Sequence, residues 1–264
     1  MILPALVLLH QQEQSDRVSA IYRFPASEAT PKMVSELMVG FHYDSYCIEP
    51  RVPPAIRTML KGKIKIVSPE SIDTPANMKW RNATIAFVQG KISPKTWVQR
   101  TRHLGETVHF LSNPKTEDYR TLTGNDSGRP VMGEMLVLML PGLPCFTSSD
   151  IWITRELPDA GRLQSWILAM HDWLGPELQF RHDNPFVTKG PIEIVRADPI
   201  PGMLRFLIKG KPHSYRYTIN NSEAPIPLPN LNCDRVLGSR GLYAEDEKSV
   251  PQIQPFGTIV EELP

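Results

Sequence analysis

The sequence predicts an α+β fold built on short, mostly antiparallel strands, and three observations carry that prediction. Apolar segments are brief and divided by turn residues: 26 prolines in 264 residues is about twice average usage and favours short elements over long helices. Segments opened by Ser-Pro or Thr-Pro and closed by Gly recur, as capped helices do. Between them lie β-branched or alternating runs of strand length. With 41% hydrophobic and 22% charged residues, the chain is too apolar and too weakly charged to be disordered. Its 29 Lys+Arg nearly balance 28 Asp+Glu, which excludes a polycation or an acidic scaffold.

From the N-terminus, the apolar run 2–9 lacks a positive flank and is too short to cross a bilayer, so it is expected to open the fold as a strand. Thr30-Pro31 begins a helix with Met33, Val34, Leu37 and Met38 in phase, stopped by Gly40. A shorter helix is expected from Pro53 to Leu60. Ser93-Pro94 opens another, with Trp97, Val98 and Leu104 in phase and Gly105 after it. The strongest periodicity runs from Pro158 to Leu174, where Leu163, Trp166, Ile167, Met170, Trp173 and Leu174 form one stripe before Gly175-Pro176.

Strands are expected at Ile64–Val67, Thr84–Gln89, Thr107–Leu111, Glu134–Leu140, Ile151–Thr154, Ile192–Arg196, Leu204–Ile208 and Tyr215–Ile219. The last two are joined by Lys209-Gly210-Lys211-Pro212, which suits a hairpin. Beyond Asn220 the pattern dissolves into a proline-rich segment, Ala224-Pro225-Ile226-Pro227-Leu228-Pro229, and an extended tail. The organisation reads as an N-terminal α/β part over 1–120, a β-α-β and hairpin part over 121–220 and a tail over 221–264, or as one continuous domain.

Cys47, Cys145 and Cys233 are odd in number and far apart, which fits reduced thiols in a cytoplasmic protein better than a disulfide framework. No Cys-x-x-Cys pair or helical His spacing suggests a metal site. No glycine-rich phosphate loop is present, so no cofactor is expected.

Two constellations could carry function. Asp126-Ser127-Gly128-Arg129-Pro130 resembles the nucleophile loop of chymotrypsin-like serine proteases, and the family's order would be met by His42, Asp73 and Ser127. That resemblance implies a serine hydrolase; the same string also suits a plain turn. Basic clusters give the second lead: Lys61, Lys63 and Lys65 alternate along a strand, Arg100 and Arg102 close a helix, and Lys209, Lys211, Tyr215 and Arg216 surround the hairpin. Cations beside aromatic rings suit phosphates and bases. Alternating lysines also protect sheet edges, so a plain solvated surface is the competing reading.

The order of strand Ile151–Thr154, helix Pro158–Leu174 and strand Ile192–Arg196, followed by Asp198-Pro199-Ile200-Pro201, resembles the RRM-like, RAMP-type subunits of CRISPR interference complexes. The resemblance implies a ferredoxin-like β-α-β element and a guide-RNA-binding role with Lys209, Lys211, Tyr215 and Arg216 near the RNA. The leading expectation is therefore a non-enzymatic assembly subunit of a ribonucleoprotein complex. Its partners would be nucleic acid, guide RNA or DNA, and other protein subunits, with no membrane. A serine hydrolase centred on Ser127 is the alternative.

Overall fold

The computed structural model describes residues 18–26, 30–32, 34–35, 43–49, 51–61, 65–101, 108–113, 116, 119–124, 128–140, 142–147, 181–183, 192–193, 200–209, 213–244 and 249–263. The chain divides into two compact units. Unit 1 comprises Met1–Asp73 with Leu143–Pro185, and unit 2 comprises Thr74–Gly142 with Phe186–Pro264.

Unit 1 is built on parallel strands. β1 (Val18–Pro25) lies between β2 (Tyr43–Glu49) and β5 (Leu143–Thr147), and β3 (Lys65–Ile66) lies outside β2. All three pairings are parallel. Parallel strands are commonly covered on both faces, and β2 obeys this: Ser45 to Glu49 are all buried. Helix α1 (Pro54–Leu60) starts on a proline and buries Ile56 and Leu60. The single-turn α2 (Pro69–Ile72) is capped by Ser68, whose hydroxyl accepts the Ser71 amide at 3.4 Å, and it buries Ile72.

Unit 2 joins a helical group to an antiparallel sheet. α3 (Pro75–Val88) begins behind Thr74, whose hydroxyl accepts the Asn77 amide at 3.2 Å. α4 (Pro94–Thr101) begins behind Ser93 in the same way, with Thr96 donating at 3.2 Å. Serine or threonine followed by proline thus does what was expected of it. Trp97 of α4 is buried on α3, and its indole N–H donates to the Thr84 hydroxyl at 3.1 Å. After the short β4 (Val108–His109) come α5 (Tyr119–Thr123) and α6 (Gly128–Met139). The sheet has the order β10-β11-β8-β7-β6, from β6 (Ile192–Glu193), β7 (Met203–Ile208), β8 (Ser214–Asn220), β10 (Val236–Tyr243) and β11 (Gln252–Leu263), with β9 (Ile226–Pro227) also paired to β11. Met203, Ile226, Leu228, Ile253 and Ile259 form its buried cluster.

These elements correct the expected RRM-like, mostly antiparallel α+β architecture, because a parallel sheet stands at the N-terminal side of the fold. Two expected strands, Thr84–Gln89 and Glu134–Leu140, lie largely within α3 and α6. From Met132 to Leu140 every residue is buried, so α6 shows no polar face, and a helix apolar all round cannot be told from a buried strand by periodicity. The expected tail is sheet instead: β11 pairs with β8, β9 and β10. The expected helices α1 and α4, strands β3 and β4, and the hairpin of β7 and β8 are present. Residues 31, 32, 34 and 35 are helical. The run 2–9, strand 151–154 and helix 158–174 lie outside the described residues. No helix among the described residues is long and apolar enough to cross a membrane.

Candidate functional site

Parallel strands place all their C-terminal ends along one edge. In α/β barrels and open parallel sheets that edge is where side chains converge on ligands. In unit 1 two charged residues stand there. Arg23 comes near the end of β1 and Glu49 ends β2, two positions along in the register that pairs Arg23 with Cys47 and Pro25 with Glu49. The Arg23 side chain is 0% exposed and that of Glu49 is 9% exposed. Burying a guanidinium this completely demands partners, and it has two. Its Nε donates to Glu49 Oε1, and Nη2 is ion-paired with the same oxygen. Its Nη1 and Nη2 donate to Asp73 Oδ1 and Oδ2 at 2.6 and 2.8 Å.

Asp73 comes from outside the sheet. It follows α2, its own N–H bonded to the Pro69 carbonyl at 2.8 Å, and its side chain is 18% exposed, the most open of the three. Burial disfavours the charge on Arg23, but the hydrogen bonds and negative field of Asp73, with Cys145 and Glu49 adding to it, more than offset this and raise its pKa above the ordinary guanidinium value. The same burial pushes the Cys47 thiol up to about 12, against the opposing pull of Arg23. The arrangement is a buried cation whose two carboxylates approach the end of the sheet. Among the described residues no group of three His, Cys, Asp or Glu side chains could hold a metal ion.

The residues expected from sequence are placed as follows. Lys61 and Lys65 are exposed on unit 1, and Arg100 and Lys209 are exposed on unit 2. Tyr215 is 5% exposed, so its ring packs in the sheet, where burial and then Glu262 raise its phenol pKa. Arg216 is tied to Glu261 Oε2 by Nη2 at 2.5 Å and Nε at 3.0 Å. Lys63, Arg102, Lys211, His42 and Ser127 lie outside the described residues. Asp73, expected to orient a catalytic histidine, is bound to Arg23 instead. Arg23 and Glu49 were missed because nothing local marks them: their meaning comes from the pairing of β1 with β2.

A cavity of about 620 Å³ in unit 2 is lined by Lys91, Ser93, Lys95, Asn221 and Ser222 among others. It contains no carboxylate and offers no acid–base pair. The parallel edge of unit 1 is the stronger site.

The fold is similar to the (β/α)8 barrel of solved α-amylase and debranching-enzyme structures, and this chain covers that barrel in part. No protein-family model and no curated protein matches the sequence. Among solved structures, the α-amylase from H. orenii superposes with a TM-score of 0.57 at 15% identity, over 89% of this chain and 65% of that one. A debranching enzyme from Nostoc punctiforme gives 0.56 at 14% identity, over 89% and 62%. Cyclic α-maltosyl-(1→6)-maltose hydrolase from Arthrobacter globiformis gives 0.55 at 16% identity, over 88% and 59%. The chain thus spans less than two thirds of these neighbours. They overturn the RNA-binding assembly subunit and the chymotrypsin-like hydrolase alike: the sheet is neither RRM-like nor a pair of antiparallel barrels.

Proposed function

We propose that this chain recognises α-linked glucose oligosaccharides and acts on them as a glycoside hydrolase, with Glu49 as the carboxylate that faces the positive charge developing on the sugar and Arg23 as the cation that holds it. The observation that carries this reading is the location of the Arg23–Glu49 pair at the C-terminal ends of parallel strands, in a fold whose solved neighbours are α-glucan enzymes. Glycoside hydrolysis needs little more than carboxyl groups: one protonates the leaving oxygen while another attacks or activates water.

A second reading, binding without cleavage, is favoured by one specific feature. Asp73, the other described carboxylate at this edge, has both oxygens engaged by Arg23. A glycosidase acid and its partner carboxylate need contrasting surroundings, whereas Glu49 and Asp73 share one guanidinium.

The test is incubation of the purified chain with maltoheptaose, following new reducing ends and, in parallel, binding by calorimetry. The hydrolase reading expects reducing ends from the wild type and a loss on the order of 10²–10³-fold in kcat for Glu49→Gln. Binding without release establishes the second reading. Neither binding nor release overturns both.

A further inference from the structure

We propose that the cavity of unit 2 is a separate binding site for a small phosphate monoester, held by Lys91 and Lys95. It lies wholly within unit 2 and does not depend on the glucan reading. Two stretches of chain wall it. One is the turn from Gly90 to Lys95 that joins α3 to α4. The other is the end of the β7–β8 hairpin, where Gly202 precedes β7 and Asn221 and Ser222 follow β8. Asn221 ties the two walls together. Its side-chain nitrogen donates to the Phe87 carbonyl of α3 at 2.5 Å, and its backbone N–H donates to the Gly202 carbonyl at 2.8 Å. The space is therefore formed without a ligand, and a preformed site loses less free energy to ordering when a ligand binds.

The polar side chains of the cavity divide into those the protein already uses and those it does not. Ser93 Oγ accepts the Thr96 amide at 3.2 Å, and Ser222 Oγ donates to Asn220 Oδ1 at 2.6 Å. Lys91 and Lys95 are exposed, and among the described residues their ammonium groups have no hydrogen bond or ion pair. No described carboxylate lines the space. Glu223, next to Ser222, is 3.0 Å from Arg129 Nη2, so another cation already engages it. Two unpaired ammonium groups on one cavity favour a dianion over a neutral sugar, or over a monocarboxylate that would balance only one of them. A phosphate monoester carries nearly two negative charges at pH 7. At about 620 Å³ the cavity is larger than a phosphate group and falls in the size range of small-molecule sites. Ile92, Pro94, Ile200 and Pro201 offer apolar wall to the carbon part of the ester.

The experiment titrates the full chain with glucose 1-phosphate, using inorganic phosphate and glucose as controls, by calorimetry and by amide NMR at low and at physiological salt. Expected is saturable binding of glucose 1-phosphate that weakens as salt rises, with movement of the Gly90, Gly202 and Ser222 amide resonances. Inorganic phosphate should compete at the same amides, and glucose should not bind there. Lys91→Ala and Lys95→Ala should each raise Kd about tenfold, and Lys91→Arg, which keeps the charge, should retain most of the affinity. Both lysines are exposed, so the variants should melt as the wild type does. Failure of both phosphates to bind at low salt overturns the site. So does glucose binding as tightly as its phosphate, an unchanged Kd when both lysines are replaced by alanine, or movement confined to amides away from the cavity.

Discussion

Arg23 and Asp73 meet through two hydrogen bonds, Nη1 to Oδ1 at 2.6 Å and Nη2 to Oδ2 at 2.8 Å, and they join β1 to the segment after α2. Only a planar fork can make this contact while also serving Glu49; a lysine could not reach both acids in this geometry. The contact explains how a charge can stand fully buried near the end of β1, beside Ile21, Tyr22, Tyr46, Cys47 and Ile48.

Removing the arginine should therefore be costly. Arg23→Met leaves Glu49 buried without its cation, and breaking a buried pair in this way costs roughly 3–5 kcal/mol. Pairing it with Glu49→Gln should recover part of that loss. Urea unfolding midpoints of the three variants check the coupling.

Thiol chemistry provides a pH prediction. The folded-state pKa of Cys47, about 12, stands above its unfolded value of 9.0. Protons then leave the unfolded chain first, so the contribution is complete below pH 9.0 and is lost as pH rises towards 12. In that window stability should fall by up to about 1.4 kcal/mol per pH unit from this group. Cys47→Ala should flatten the slope in alkaline urea titrations. In the native state a thiol reagent should modify the exposed Cys233 and spare the buried Cys47 and Cys145.

Gly133 of α6 faces Tyr119 so closely that an added Cβ would lie 1.9 Å from the phenol oxygen. That oxygen donates to the Arg129 and Pro130 carbonyls at 3.2 and 3.0 Å, so it cannot easily turn away. Gly133→Ala should destabilise by roughly 1–3 kcal/mol or somewhat more, the cost of overpacking. Tyr119→Phe should rescue it in part, since the ring carbon behind the oxygen still lies 2.9 Å away. Thermal melts of a double-mutant cycle measure the coupling.

Arg129 also separates a structural contact from a surface one. Its Nη1 donates to the Val88 carbonyl at 2.8 Å and its guanidinium lies 4.6 Å from the Phe256 ring centre. Its other partner, Glu223, has a side chain 82% exposed. Arg129→Ala should cost about 1–3 kcal/mol, while Glu223→Gln should stay within about 0.5 kcal/mol. Denaturation midpoints of the two variants decide this.

What could be read from sequence follows physical lines. Ser93-Pro94 and Pro54 announced their helices because caps and first-turn prolines act locally. The β7–β8 hairpin was visible because its partners are neighbours in sequence. β1 and β2 were not, since Val18-Ser19-Ala20-Ile21-Tyr22-Arg23 and Tyr43-Asp44-Ser45-Tyr46-Cys47 mix polar and apolar residues without alternation. Buried on both faces, such strands need no alternation, and the partners of Arg23 lie far from it along the chain. α6 hid because from Met132 onward every residue is buried, which leaves no polar face to mark a helical period. β11 was concealed by Pro255-Phe256-Gly257, where Phe256 adopts a positive φ of 59° inside the strand. The site was illegible for the same cause as the sheet: Arg23, Glu49 and Asp73 meet only when parallel pairing brings β1, β2 and α2 together, whereas the basic clusters were conspicuous in sequence and are scattered over both units.

The most direct test of the glucan site is an NMR titration of the wild-type chain with maltoheptaose, observing the Arg23 Nε–H resonance, which burial and the Glu49 bond should keep slowly exchanging and resolved. Saturable movement of that resonance, lost in Glu49→Gln, is the predicted result. A resonance that stays fixed while the sugar is bound elsewhere, or while no sugar binds at all, would contradict it.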